Sequence, residues 1–257
     1  MLDDAWKAPE TEVAGEEIPS GRGSWPSDPD ATDALAVARV SWEELVSAPV
    51  GYALAGLSYL VVVLVVVTVA MGALGLGVAP GMLLDDETIL VVGGMAGMLV
   101  YTGVILLVTF VGYPLMTASL IRAVDAHRAG GPAPGFTSAF STMTQDAGRI
   151  IAFYALSQLA VLVGMLFLYL PGFLAVAVST YAFPMVVMER VGPVEALSRG
   201  FDHLRRHAVW HLMVWLVLFA GLVVGEITVV GLLFLWPAVA IYQLAAWRIT
   251  QERTPQP

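Results

Sequence analysis

Three histidines, His203, His207 and His211, stand four residues apart, and Glu195 and Arg199 continue the series upstream. On a helix each step of four turns about 40° past a full circle, so neighbours touch while the stripe slowly spirals. Two imidazoles at that spacing can hold a divalent cation if a third ligand and supporting hydrogen bonds are supplied. One other histidine exists, His127. The same residues also read as a basic helix at the level of lipid headgroups, with Glu195–Arg199 and Asp202–Arg206 as ordinary pairs four apart. That reading needs no missing ligand and is the one the sequence favours, so no metal centre is expected.

Arg199, Arg205 and Arg206, together with Arg149 and Arg190, form a second constellation. A rim of arginines beside a membrane attracts anionic headgroups at about 1 kcal/mol per residue. It also fixes which way a membrane chain is threaded. The two roles coexist.

Other chemistries are excluded by what is missing. With no cysteine there is no disulfide, thiolate metal site or cysteine nucleophile. The single lysine, Lys7, leaves a phosphate loop of the GxxxxGK[ST] type without its lysine and the apolar body without a Schiff-base amine. Neither HExxH nor GxSxG occurs. Bases are few and scattered, and the net charge of −9 has the wrong sign for nucleic acid. The sequence offers no catalytic residue and no cofactor site.

The elements that carry these residues are hydrophobic. Of 257 residues 58% are apolar and 13% are charged, against about 45–50% and about 25% in a soluble domain. Mean hydropathy is +0.79. Apolar runs occupy residues 50–76, 89–110 (continuing to 120), 150–170, 173–188, 208–224 and 227–247. A helix needs about 20 apolar residues to cross about 30 Å of hydrocarbon. Four runs meet that length, and the fourth and fifth rely on flanking residues. Backbone groups in lipid must be paired within the segment, and no alternating polarity supports a barrel. The expectation is an all-α integral membrane fold of six transmembrane helices.

Charge placement supports the count. With six spans, one side of the membrane receives the N-terminus, residues 121–149 and 189–207, and the C-terminus. All twelve bases fall there. The other side holds Asp85, Asp86, Glu87 and Glu226 and no base. Bases favour the cytoplasm, so both termini are expected inside. The start of the chain lacks a basic segment before an apolar run, so no cleaved signal peptide is expected. The spans carry almost no charged residue that would suggest ion or proton transport. Their polar residues, Ser157, Gln158, Ser179, Thr180 and Gln243, suit hydrogen bonds between helices, and Gly93/Gly97 and Gly221/Gly225 suit close helix packing.

Three parts are expected: an acidic disordered cytoplasmic tail over residues 1–33, a membrane domain over 34–250 and a short tail over 251–257. The first tail has nine acids and two bases and few large apolar residues, too few to offset the entropy of ordering. The segments before spans one, three and five resemble one another: a short amphipathic stretch, a break, then a hydrophobic hairpin. Phe136, Phe140 and Met143 recur at helical spacing in the second, and Val194, Leu197, Phe201 and Leu204 in the third. Aligning Ala139 with Ala196 also aligns Arg149 with Arg206. Three repeats of interfacial helix plus transmembrane hairpin are expected. Pro114 is expected to kink the second span, so that residues 116–129 run along the membrane surface.

The stretch Ala182-Phe183-Pro184-Met185-Val186-Val187-Met188-Glu189-Arg190-Val191-Gly192-Pro193-Val194-Glu195-Ala196-Leu197-Ser198-Arg199 resembles a signature of one membrane-domain group. That group comprises the membrane domain attached to some glycerophosphoryl diester phosphodiesterases and the stand-alone, six-span YciC-like proteins. The turn from Leu120-Ile121-Arg122 to Gly130-Gly131 also resembles theirs. The resemblance spans about residues 34–250, with its specific part near 20 residues. It implies a multi-pass bacterial inner-membrane protein. The phosphodiesterase catalytic barrel and its acidic metal motif have no counterpart here, so no catalytic residue carries over. The expected role is a non-enzymatic scaffold or accessory subunit that binds membrane lipids or other membrane proteins, with a transporter or channel for a small or lipidic solute as the alternative.

Overall fold

A computed structural model describes residues 34–167, 169–227 and 229–251. The tail over residues 1–33 lies outside the described residues, as does all but Gln251 of the short tail expected over 251–257. All regular structure among the described residues is helical. Helix α1 (Ala34–Ser47) leads into α2 (Pro49–Leu84). Then α3 (Glu87–Leu107) passes through a π turn (Val108–Gly112) into α4 (Tyr113–Arg128) without breaking. A 3-10 turn (Phe136–Ala139) precedes α5 (Ala147–Leu166). Helix α6 (Leu170–Pro184) runs on through a π turn (Met185–Glu189). The chain finishes with α7 (Pro193–Arg206), α8 (Ala208–Ile227) and α9 (Val229–Gln251).

Six of these helices are long and apolar enough to cross a membrane: Pro49–Leu84, Glu87–Arg128, Ala147–Leu166, Leu170–Glu189, Ala208–Gly225 and Gly231–Thr250. The short fourth run thus gains its length through the π turn after Pro184, a residue that has no N–H to give the helix ladder.

The spans pair as consecutive hairpins, α2 with α3, α5 with α6, and α8 with α9. Local chemistry sets the first turn. Asp85 closes α2 in the left-handed conformation at φ 52°. Asp86 then caps α3, its carboxylate accepting from Thr88 N at 2.9 Å and Ile89 N at 3.1 Å. Below that turn glycines zip the two helices together. A Cβ on Gly77 or Gly93 would overlap the other's carbonyl oxygen, and one on Gly81 would overlap the Leu90 backbone.

Burial is uneven. In their most apolar stretches, 6% of residues in α2 and in the α3–α4 span are buried, against 61% in α6 and 56% in α9. The core lies at the arginine-bearing end. It comprises Val37 and Val40 of α1, Leu120 and Ile121 of α4, Tyr181 and Val186 near the end of α6, and Ile241 and Leu244 of α9.

One expectation is refined here and one corrected. Residues 116–129, expected along the membrane surface, are packed into the protein over much of their length: Pro114 through Ile121 and Val124 of α4 are buried. Thr117 accepts from Trp236 Nε1 at 2.9 Å, and Ser119 meets Thr142 Oγ1 at 2.8 Å, so its polar groups are satisfied inside. The stretch holding Phe136, Phe140 and Met143 is no α-helix but a 3-10 turn followed by further turns. Its hydroxyls draw the backbone into local bonds: Ser138 Oγ accepts from Gly135 N at 2.8 Å, and Ser141 Oγ donates to Ser138 O at 3.1 Å.

Smaller details differ too. Ser157, Ser179 and Thr180 donate within their own helices, to Tyr154, Ala175 and Val176 carbonyls, rather than across helices. Gly93 and Gly97 do sit at a close helix contact; of the second pair, a Cβ on Gly225 would press on the Leu235 side chain, whereas one on Gly221 would meet open space.

Candidate functional site

Polar side chains concentrate at the arginine-bearing end, and helix termini position them. Asp146 begins α5 in the left-handed conformation, φ 58°, and its side chain makes no cap bond. It faces three guanidinium groups instead: Arg190 Nε at 3.3 Å, Arg122 at 3.5 Å and Arg149 at 3.6 Å. Arg122 rises from α4 and also donates to Thr142 O at 3.2 Å. Arg190 stands just after the π turn of α6, again at φ 58°. Its carbonyl accepts from Arg149 at 2.5 Å. Two residues in a conformation that costs about 1–2 kcal/mol for an L side chain are thus joined by an ion pair. Three arginines share one carboxylate, so the cluster keeps an excess of positive charge. Arg190 is its most accessible member, with 59% of its side chain exposed.

Arg199 belongs to a different group. It bonds Glu189 at 3.1 Å and Glu195 at 2.5 Å, and Trp247 Nε1 holds the other oxygen of Glu189 at 3.0 Å. Two acids offset its charge. Arg205 and Arg206 are exposed on α7, and neither forms an ion pair with another described residue. The expected pair Glu195–Arg199 forms, whereas Asp202–Arg206 does not. The structure therefore divides the five expected rim residues into Arg149 and Arg190 around Asp146, a neutralised Arg199, and a free pair.

Sequence reasoning missed Arg122 and Asp146 as members of this site. The charge split places Arg122 at the correct end, but nothing in the sequence pairs residues 24 positions apart. Further ion pairs brace the same end from within. Glu44, with 1% of its side chain exposed, accepts from Tyr52 Oη at 2.6 Å and Arg128 at 3.1 Å. Arg248 grips Asp125 through two bonds from one nitrogen, at 2.8 and 3.0 Å, while lying 4.7 Å over the Trp247 ring.

The histidines do not follow one helix. The chain turns a corner at His207, φ −131° and ψ 44°, between α7 and α8. On a straight helix His203 and His211 would be separated by about 12 Å of rise. The corner instead brings His203 Nδ1 within 2.5 Å of His211 Nε2. Tyr181 stacks on His203 at 4.5 Å and meets His211 edge-on. The result is a packed aromatic cluster in which one imidazole donates to the other. Among the described residues no three His, Asp or Glu side chains are grouped to hold a metal ion.

Fold and site together define a class: a multi-pass, all-helical membrane protein with its polar layer at one end. No protein-family model matches the sequence, and neither a curated protein nor a solved structure does.

Proposed function

We propose that this chain is a non-enzymatic scaffold or accessory subunit of a bacterial inner membrane, with both termini in the cytoplasm, and that its basic rim engages anionic lipid headgroups or acidic surfaces of partner membrane proteins. The three hairpins, each preceded by an interfacial segment, are read as repeats of one unit, although the second segment has lost its helix. This architecture agrees with the resemblance to YciC-like proteins.

One observation carries the reading. Arg205 and Arg206 are exposed on α7 beside a span and are not neutralised by any described acid, while Arg190 rises from a cluster with surplus positive charge. Guanidinium groups so placed at a membrane surface are donors for phosphate oxygens. Arg205→Ala/Arg206→Ala is expected to weaken binding of an anionic phospholipid to the protein in nanodiscs by about fivefold for each arginine. Undiminished binding would leave the rim with a topological role alone.

A further inference from the structure

The first hairpin is closed at one end and open at the other. Glycines hold α2 against α3 next to the Asp85–Asp86 turn. Toward the arginine-bearing end a groove of about 360 Å³ lies between the two helices and α5. Its upper walls are apolar and include Val63, Val66 and Ile105. Its lower end carries hydroxyls, from Tyr59, Tyr113, Tyr154 and Thr109. The three tyrosine rings form a row, with centroids 6.0 Å apart for Tyr59–Tyr113 and 5.9 Å for Tyr113–Tyr154. Tyr59 is further fixed by stacking on Trp236 at 5.1 Å. The π turn at Val108–Gly112 falls at this point and forms part of the wall. Such a turn is rare overall and is frequent at functional positions.

The hydroxyls of Tyr59, Tyr154 and Thr109 make no hydrogen bond to any described residue. Each side chain is partly or fully accessible. These hydroxyls are free to donate to an occupant that brings acceptors to the lower end of the groove. Depth indicates which. Tyr59 lies 26 residues before Asp85, and Tyr113 lies 26 residues after Glu87. That is about 39 Å of helix, more than the roughly 30 Å of a hydrocarbon core. Measured from the acidic turn, the tyrosine row sits at the opposite interface, where glycerolipids carry their ester carbonyls.

We propose that this groove is a binding site for one glycerolipid, with an acyl chain between α2 and α3 and its ester carbonyl accepting from Tyr59 and Tyr154. The site is separate from the arginine rim, and its occupant is recognised by ester and chain rather than by headgroup charge. An ester offers two acceptor oxygens at the head of a chain that matches the valine-lined walls. A free fatty acid would place a full negative charge at the row, where no arginine lines the groove.

The test uses the full chain in nanodiscs containing a phospholipid with a diazirine midway along one acyl chain. After illumination, peptide mapping is expected to find label on residues 59–67 and 105–113. Val66→Trp, which fills the groove, should abolish that label. Leu64→Trp, on the lipid-facing side of the same helix, should leave it intact. Tyr59→Phe and Tyr154→Phe keep the rings and should each lower occupancy about fivefold, the factor for one hydrogen bond. Equal labelling of the two tryptophan variants would overturn the proposal. So would undiminished occupancy in both phenylalanine variants, or native mass spectrometry showing a bound fatty acid or isoprenoid in place of a glycerolipid.

Discussion

Asp146 is the most consequential single residue at the arginine end. Its carboxylate is 17% exposed and stands among Arg122, Arg149 and Arg190. Neutralising it would leave three like charges facing one another in a half-dry pocket. Asp146→Asn is therefore expected to lower the thermal unfolding temperature in detergent, by an amount equivalent to about 1–3 kcal/mol. The same variant should bind anionic phospholipid more tightly, because its arginines are released. A variant that loses stability and lipid binding together would show that the carboxylate organises the arginines rather than restraining them. Little of this was legible beforehand. The arginines are visible in the sequence and their common end follows from charge counting. The carboxylate that gathers them sits across a loop, and long-range pairing leaves no periodic trace. The histidines teach the same lesson in reverse, since regular spacing suggested a helix while the chain bends at the middle member.

Elements were legible where one force dominated. Unbroken runs of Val, Leu and Ile, without the alternation a barrel strand needs, span lipid as helices, and six such runs correspond to six long apolar helices. Legibility failed where forces competed. In residues 136–146 hydroxyls outbid the helix for backbone groups. In α4 a polar-looking sequence is buried because its partners arrive from α9 and from the loop before α5. The glycine zipper of the first hairpin gives an element-level prediction. Gly93→Ala forces a Cβ into the Gly77 carbonyl and must prise α2 from α3. It should destabilise the protein by about 1–3 kcal/mol in reversible unfolding. Gly72→Ala lies on the same hairpin with nothing near its added methyl, and should be neutral or slightly stabilising. Equal effects at both positions would mean that the helices are not in close contact.

The whole molecule has an axis, with the base-free acidic turn of the first hairpin at one pole and the described arginines at the other, and the absence of cysteine makes that axis easy to read. Glu87→Cys and Ser198→Cys place single thiols at exposed sites near the two poles. On the orientation proposed above, an impermeant maleimide applied to intact bacterial cells making the protein is expected to label the first, and to label the second only after the membrane is opened. The reverse pattern would invert the orientation, and labelling of both in intact cells would refute the six-span threading.

The position of α9 bears on the order in which the protein is made. Its Trp236, Arg248, Trp247 and Thr250 bond Thr117, Asp125, Glu189 and Tyr181, residues that belong to two earlier spans. Those spans leave the ribosome first, so their polar groups stand at the arginine-bearing end before the helix that completes them. Until α9 arrives, the earlier spans are joined by the glycine zipper, the Glu44–Arg128 pair and the Asp146 cluster. A chain that ended after Gly225 would keep those contacts and lose the four bonds that α9 supplies.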